Sequence, residues 1–197
     1  MTQAKLVEHP DLIPIAVVVA VAIFLAKEFI EAFRRWRSNV RKLHAVKGFI
    51  AVECERNEFA MGRLLWQATA IQEALTEDLE IKIEKRQSGR HRLVITAEGD
   101  MRGSAPVPTI HMEVIEKYLF EIASLDAGLF AQMEETLAAM IDAAHVRNSL
   151  IEYVDEDPEH LEGFSEFAKR ALDSAIDCNR DLYFRCTCEP LAQGRVR

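Results

Sequence analysis

The chain is poor in the residues that punctuate, staple or unbalance a protein. Six prolines and eight glycines in 197 residues are too few for a collagen-like, linker-like or low-complexity chain, and no internal repeat is present. Four cysteines, Cys54, Cys178, Cys186 and Cys188, make no disulfide framework at this length. Cys186-Thr187-Cys188 lacks a second Cys/His pair at zinc-like spacing, so no metal site is expected. Cations are in deficit, 24 Lys and Arg against 32 Asp and Glu for a net charge of −8. From residue 98 to 189 the balance is 20 acids to seven Lys or Arg. That surface repels a polyanion, which argues against nucleic acid as a partner.

Recognisable catalytic patterns are also missing. There is no G-x-S-x-G, no phosphate-cradling glycine loop and no H-E-x-x-H. His44, His91, His111, His145 and His160 are scattered along the chain. Glu134-Glu135 reads as a solvated face, and the acids at 155–157 read as a helix-breaking loop. The expectation is therefore a protein without catalytic, cofactor-binding or metal-binding residues, and an unrecognised carboxylate enzyme is the second alternative.

One feature is present in full. Residues 12–26 form an unbroken run of 15 apolar side chains, LIPIAVVVAVAIFLA. A hydrocarbon core about 30 Å thick needs roughly 20 helical residues. Phe29, Ile30, Ala32 and Phe33 extend the apolar pattern, and Lys27 can reach back to the headgroups. A transmembrane helix over residues 12–33 is the expectation, preceded by a short tail at 1–11. A cleaved signal peptide fits less well, because the first 11 residues carry only Lys5 against Glu8 and Asp11. A buried core helix usually keeps a polar stripe, which residues 12–26 lack.

The flank sets the orientation. Seven Lys or Arg against two Glu lie between residues 27 and 47, with Arg34, Arg35, Arg37, Arg41 and Lys42 forming a lipid-facing basic cluster. The positive-inside bias then places the N-terminus outside and the remaining chain in the cytoplasm of a bacterial inner membrane.

After the anchor the pattern is helical with one interruption. A stripe at Leu43, Val46, Ile50, Glu53, Asn57, Ala60 (or Met61), Leu64, Ala68, Ile71 and Leu75 continues the first helix to about Leu79. Residues 80–85 and 92–96 read as a β-hairpin around Gln87-Ser88-Gly89-Arg90, within a hairpin region at about 80–97, and 99–108 reads as a loop. A helix opening at Thr109 or Ile110 should end near Ser124. Asp126 should cap a longer one carrying Leu129, Phe130, Met133, Leu137, Met140, Ile141, Ala144, Asn148 and Ile151. Pro158 should start the last, carrying Leu161, Phe164, Ala168, Ala171, Ala175, Cys178 and Leu182.

The fold class expected is thus mainly α: a transmembrane helix continuing into an antiparallel helical bundle at 34–188, with a β-hairpin insertion and a frayed tail at 189–197.

Glu53 and Asn57 stand four apart on an apolar stripe, where a carboxylate needs a partner. Arg147 and Asn148, on or beside the stripe of the helix after Asp126, are the candidates. The four make a candidate buried polar network that fixes helix register. The other readings are a polar ligand pocket between helices, or a rotated helix that leaves the residues exposed.

The stretches AVECERNEFA (51–60) and SLDAGLFAQMEETLAAMIDA (124–143) resemble a loose group of uncharacterised bacterial single-pass membrane proteins with a Glu-x-x-x-Asn helix after the anchor and a later Leu-rich helix. The resemblance implies the architecture and no activity, catalytic residue or cofactor. The functional expectation is a non-enzymatic scaffold with the lipid bilayer and a protein partner or second copy as its partners. The first alternative is a membrane-bound sensor with a polar ligand site between helices.

Overall fold

The computed structural model describes residues 15–155, 161 and 163–191. In chain order the elements are α1 (Ile15–Thr76), β1 (Glu80–Lys85), β2 (His91–Ala97), β3 (Asp100–Pro106), α2 (Glu113–Ala123), α3 (Ala127–Asp155) and α4 (Phe164–Thr187). The protein is mainly helical with a small antiparallel sheet. It divides into two compact units, Met1–Lys42 and Leu43–Arg197.

In the first unit the described residues belong to the N-terminal part of α1. The described apolar side chains from 17 to 30 are all exposed. Glu31 lies 4.0 Å from Lys27 and 3.7 Å from Arg35, pairs at helical spacing worth a few tenths of a kcal/mol. Among the described residues, no helix is long and apolar enough to cross a membrane. The expected span is corrected to that extent: its apolar part within α1 starts at Ile15 and meets Lys27, Glu28 and Glu31. Residues 12–14, and the expected tail at 1–11, lie outside the described residues.

The second unit is a bundle with two apolar clusters. One joins Val46, Ile50 and Cys54 of α1 with Ile115 and Ile122 of α2, Leu129 and Met133 of α3, and Leu182 of α4. The other joins Met61, Leu64 and Ile71 of α1 with Leu93 of β2, Met140 and Leu150 of α3, and Phe164 and Leu172 of α4. Along α1 and α3 the chain passes from the first cluster to the second, and along α4 it returns. Thus α4 alone of these three runs against the others, because the sheet and α2 carry the chain back before α3 begins.

The α1 stripe is buried from Val46 to Ile71, whereas Leu75 is exposed and the helix ends at Thr76 rather than Leu79. Asp78, at φ 55, turns the chain out of the helix. The expected hairpin is present with β1 paired to β2 from Glu80↔Thr96 to Lys85↔His91. The expected loop at 99–108 is largely a third strand: β3 pairs antiparallel with β2 from Arg92↔Pro106 to Ala97↔Asp100. Glu98 and Gly99 make the connection at φ 51 and 89, the left-handed pair a two-residue hairpin turn requires. A register shift at Ile95/Thr96 and Pro106 at the strand's end suit an edge strand.

Asp126 accepts the Leu129 N–H at 2.9 Å, the expected cap of α3. Ile141 and Asn148 of that helix are exposed, while Thr136, Ala143, Val146 and Ser149 are buried. The last helix begins at Phe164, after Gly163 at φ 81, so Leu161 lies outside it. Leu161 is nevertheless buried in the second cluster. Pro158 lies outside the described residues, as does the tail beyond residue 191.

Candidate functional site

Polar side chains of α1 and α3 converge on one stretch of backbone, the connection from the end of β3 into α2. Gln67 donates to the Pro106 carbonyl at 2.9 Å. Arg147 donates through Nε to the Pro108 carbonyl at 2.8 Å. Asn57 donates to the His111 carbonyl at 2.6 Å and accepts the His111 N–H at 2.8 Å, the two-bond exchange a neighbouring strand would supply. Glu53 then accepts the N–H of Val114 at 2.9 Å and of Ile115 at 3.0 Å, one on each carboxylate oxygen.

Those last two bonds cap α2. Its N-terminal flank is Met112, whose side chain supplies no cap bond. Glu53, about 60 residues earlier in the chain, provides the acceptors that a Ser or Asp would normally give in place, and its charge sits at the positive end of the helix dipole. The hold on residues 106–112 also explains why α2 opens at Glu113 rather than at Thr109 or Ile110: Asn57 keeps His111 in a pairing incompatible with helix.

The four-residue network expected from the sequence is therefore redistributed. Glu53 and Asn57 are both buried, at 4% and 0% relative exposure, and their bonds go to backbone. Arg147 bonds Pro108 and, at 3.0 Å, the side chain of its neighbour Asn148. Asn148 is exposed. Arg147 and Asn57 serve the same connection without serving each other.

A second polar tier lies between the two apolar clusters. Asn57, Thr136 and Asn179 each fall, along their own helices, between a residue of one cluster and a residue of the other, and all three are fully buried. Thr136 donates to the Gln132 carbonyl and lies 3.2 Å from that of Cys178. Asn179 donates to the Cys54 carbonyl at 3.0 Å. Beside them Arg180 makes two bonds to Glu58, at 2.6 and 3.0 Å, and Tyr183 donates to Glu55 at 3.3 Å. Gln67, Glu58, Thr136, Asn179 and Arg180 were not singled out in the sequence. Asn179 had a signal, standing midway between Ala175 and Leu182 on an apolar stripe. Thr136, between Met133 and Met140, and Gln67, between Leu64 and Ile71, had the same signal.

The end of the bundle nearer α2 carries a third group. Asp126 Oδ2 lies 3.8 Å from Lys47 Nζ, and Oδ1 lies 3.5 Å from Arg185. The Leu129 N–H bond first, then these two cations, hold its carboxyl below the ordinary value. Arg185 occupies the place where a Cβ on Gly128 would stand, so the glycine makes room for this pair. Burial pushes the thiol of Cys54 well up, and that of Cys186 to about 11.

Chemically these groups are spent. Glu53 and Glu58 are committed to N–H and guanidinium donors, and the cysteines with shifted thiols, Cys54, Cys178 and Cys186, are all moved away from the thiolate. Among the described residues no group of three or more His, Cys, Asp or Glu could hold a metal. The basic cluster at Arg34, Arg35, Arg37, Arg41 and Lys42 is exposed. No family model, no curated protein and no solved structure matches the chain.

Proposed function

We propose that the chain is a membrane-anchored, non-enzymatic scaffold whose helical domain presents a rigid surface to a protein partner. The observation that carries this reading is the exposure of every described apolar side chain from 17 to 30 on α1. A helix apolar on all sides is stable in lipid or inside a protein, and not in water. In the sequence, residues 12–14 and then Phe29, Ile30, Ala32 and Phe33 lengthen the apolar pattern toward the roughly 20 residues a bilayer core requires, with Lys27 able to reach the headgroups and Trp36 suited to the interface. The cluster Arg34, Arg35, Arg37, Arg41 and Lys42 favours retention on the cytoplasmic side of a bacterial inner membrane, with the N-terminus outside. Each base near an anionic surface adds about 1 kcal/mol.

The scaffold reading is supported over a ligand-gated sensor by where the polar groups between the helices go. Glu53, Asn57 and Arg147 are bonded to the protein's own backbone and fix one helix packing. The test is topology mapping of the full chain with a reporter at each terminus. An outside N-terminus with an inside C-terminus is expected, and both termini on one side would refute the single span.

A further inference from the structure

A second line of large side chains runs along α1 within the domain, opposite in kind to the buried stripe. Phe49, Val52, Phe59 and Trp66 are each about half exposed, and Arg56 and Arg63 stand between them. The steps alternate three and four, a seven-residue repeat that sets all six on one side of the helix. Arg63 is already organised, its guanidinium 6.0 Å from the Phe59 ring centre and 5.6 Å from that of Trp66. Phe49 is stacked on Tyr118 of α2 at 6.3 Å. Gly48 and Gly62 stand a whole number of repeats apart beside the line, with open space where a Cβ would be.

The charge of the line is set by what flanks it. Glu55 is drawn to Tyr183 and Glu58 to Arg180, both on α4. Two cations among aromatic rings are left on the face of a chain whose net charge is −8. Aromatic residues and arginine are the types that dominate binding energy at interfaces. Parallel, in-register pairing of this line in two copies would set Arg56 on Arg56 and Arg63 on Arg63. That repulsion selects against self-association and for an acidic occupant.

We infer that the Phe49–Trp66 face of α1 binds an amphipathic helix of another protein, one whose apolar stripe is flanked by carboxylates. This names the partner surface of the scaffold reading and rests on it. Aliphatic side chains would lie over Val52, Phe59 and Trp66, and carboxylates would meet Arg56 and Arg63, the latter held in place by the Phe59 and Trp66 rings. The face spans 18 residues, about 27 Å of helix, enough for a transient helix pair.

The test is photo-crosslinking of the full chain in the membranes of its host, with a photoreactive phenylalanine analogue replacing Val52 or Phe59, and replacing exposed Glu134 as control. The expected result is an adduct at 52 and 59, absent at 134, whose crosslinked peptide comes from an acid-flanked apolar helix of another protein. Arg63→Glu should reduce its yield at least about fivefold, and Arg63→Lys should largely preserve it. Circular dichroism checks that each variant stays folded. A covalent homodimer, a lipid adduct, no adduct above the control, or an adduct indifferent to Arg63→Glu would each overturn the proposal. A chain found soluble on fractionation would remove the anchor without altering what the adduct reports about this face.

Discussion

Asn57 and His111 exchange two hydrogen bonds, side-chain amide against backbone amide, across 54 residues of sequence. The pair does for the β3–α2 connection what a strand partner does in a sheet. It sets where α2 begins and therefore which face of α2 reaches the core.

Replacing Asn57 with Ala should cost about 2–4 kcal/mol of unfolding free energy, because it strands a backbone N–H and a carbonyl. Asn57→Asp should be at least as damaging, since it sets a carboxylate oxygen against the His111 carbonyl. Urea denaturation of the two variants checks both. A loss below about 0.5 kcal/mol for the alanine, the usual range of surface changes, would show that the pairing contributes little.

Glu53 and Arg147 should behave independently. Each grips the same connection, but at Val114/Ile115 and at Pro108 respectively. A double-mutant cycle with Glu53→Gln and Arg147→Met should be additive within about 0.5 kcal/mol. A coupling above about 1 kcal/mol would restore the direct pairing expected from the sequence. Glu53→Gln alone should speed hydrogen exchange at the amides of residues 114 and 115.

Asp126 should make stability depend on acid. Its folded pKa is lowered, chiefly by the Leu129 N–H and then by Lys47 and Arg185 against opposing burial. Its contribution is therefore complete above the unfolded value of about 3.9 and is lost as pH falls through the lower folded value. Asp126→Asn keeps a capping oxygen and removes the charge. The wild type should exceed it in stability near neutrality and lose that advantage in acid. Asp126→Ala should lose about 1 kcal/mol more through the missing cap. Urea titrations at the two pH values distinguish these outcomes.

The cysteines should alkylate in order of exposure and thiolate content. Cys188 is exposed, Cys178 and Cys186 are half-buried and Cys54 is buried. Burial raises the Cys186 thiol to about 11, which leaves little nucleophilic thiolate in mild base. Iodoacetamide followed by peptide mapping should modify Cys188 first and Cys54 only on unfolding. Early modification of Cys54 would mean that the α1–α4 packing opens readily.

Much of the bundle was legible because helical periodicity survives in single residues: the α1 stripe from Val46 to Ile71 and the Asp126 cap both lie where the pattern puts them. β3 was not, because Gly103, Ser104 and Pro106 carry little strand character, and the strand exists by pairing with β2. Its one local signal was Glu98-Gly99, a left-handed turn pair. The buried state of Glu53 and Asn57 could be read from their place on an apolar stripe. Their partners could not, since a backbone amide has no side chain to betray it, and Arg147 and Asn148 were the nearest visible complements. The start of α4 at Phe164 rather than Pro158 turned on Gly163, whose left-handed φ leaves no periodic trace.

The proposed anchor in the N-terminal part of α1 is tested most directly by alkaline carbonate extraction of membranes holding the full-length chain. The chain should remain with the pellet through carbonate and salt and be released by detergent. Recovery in the soluble fraction without detergent would contradict it.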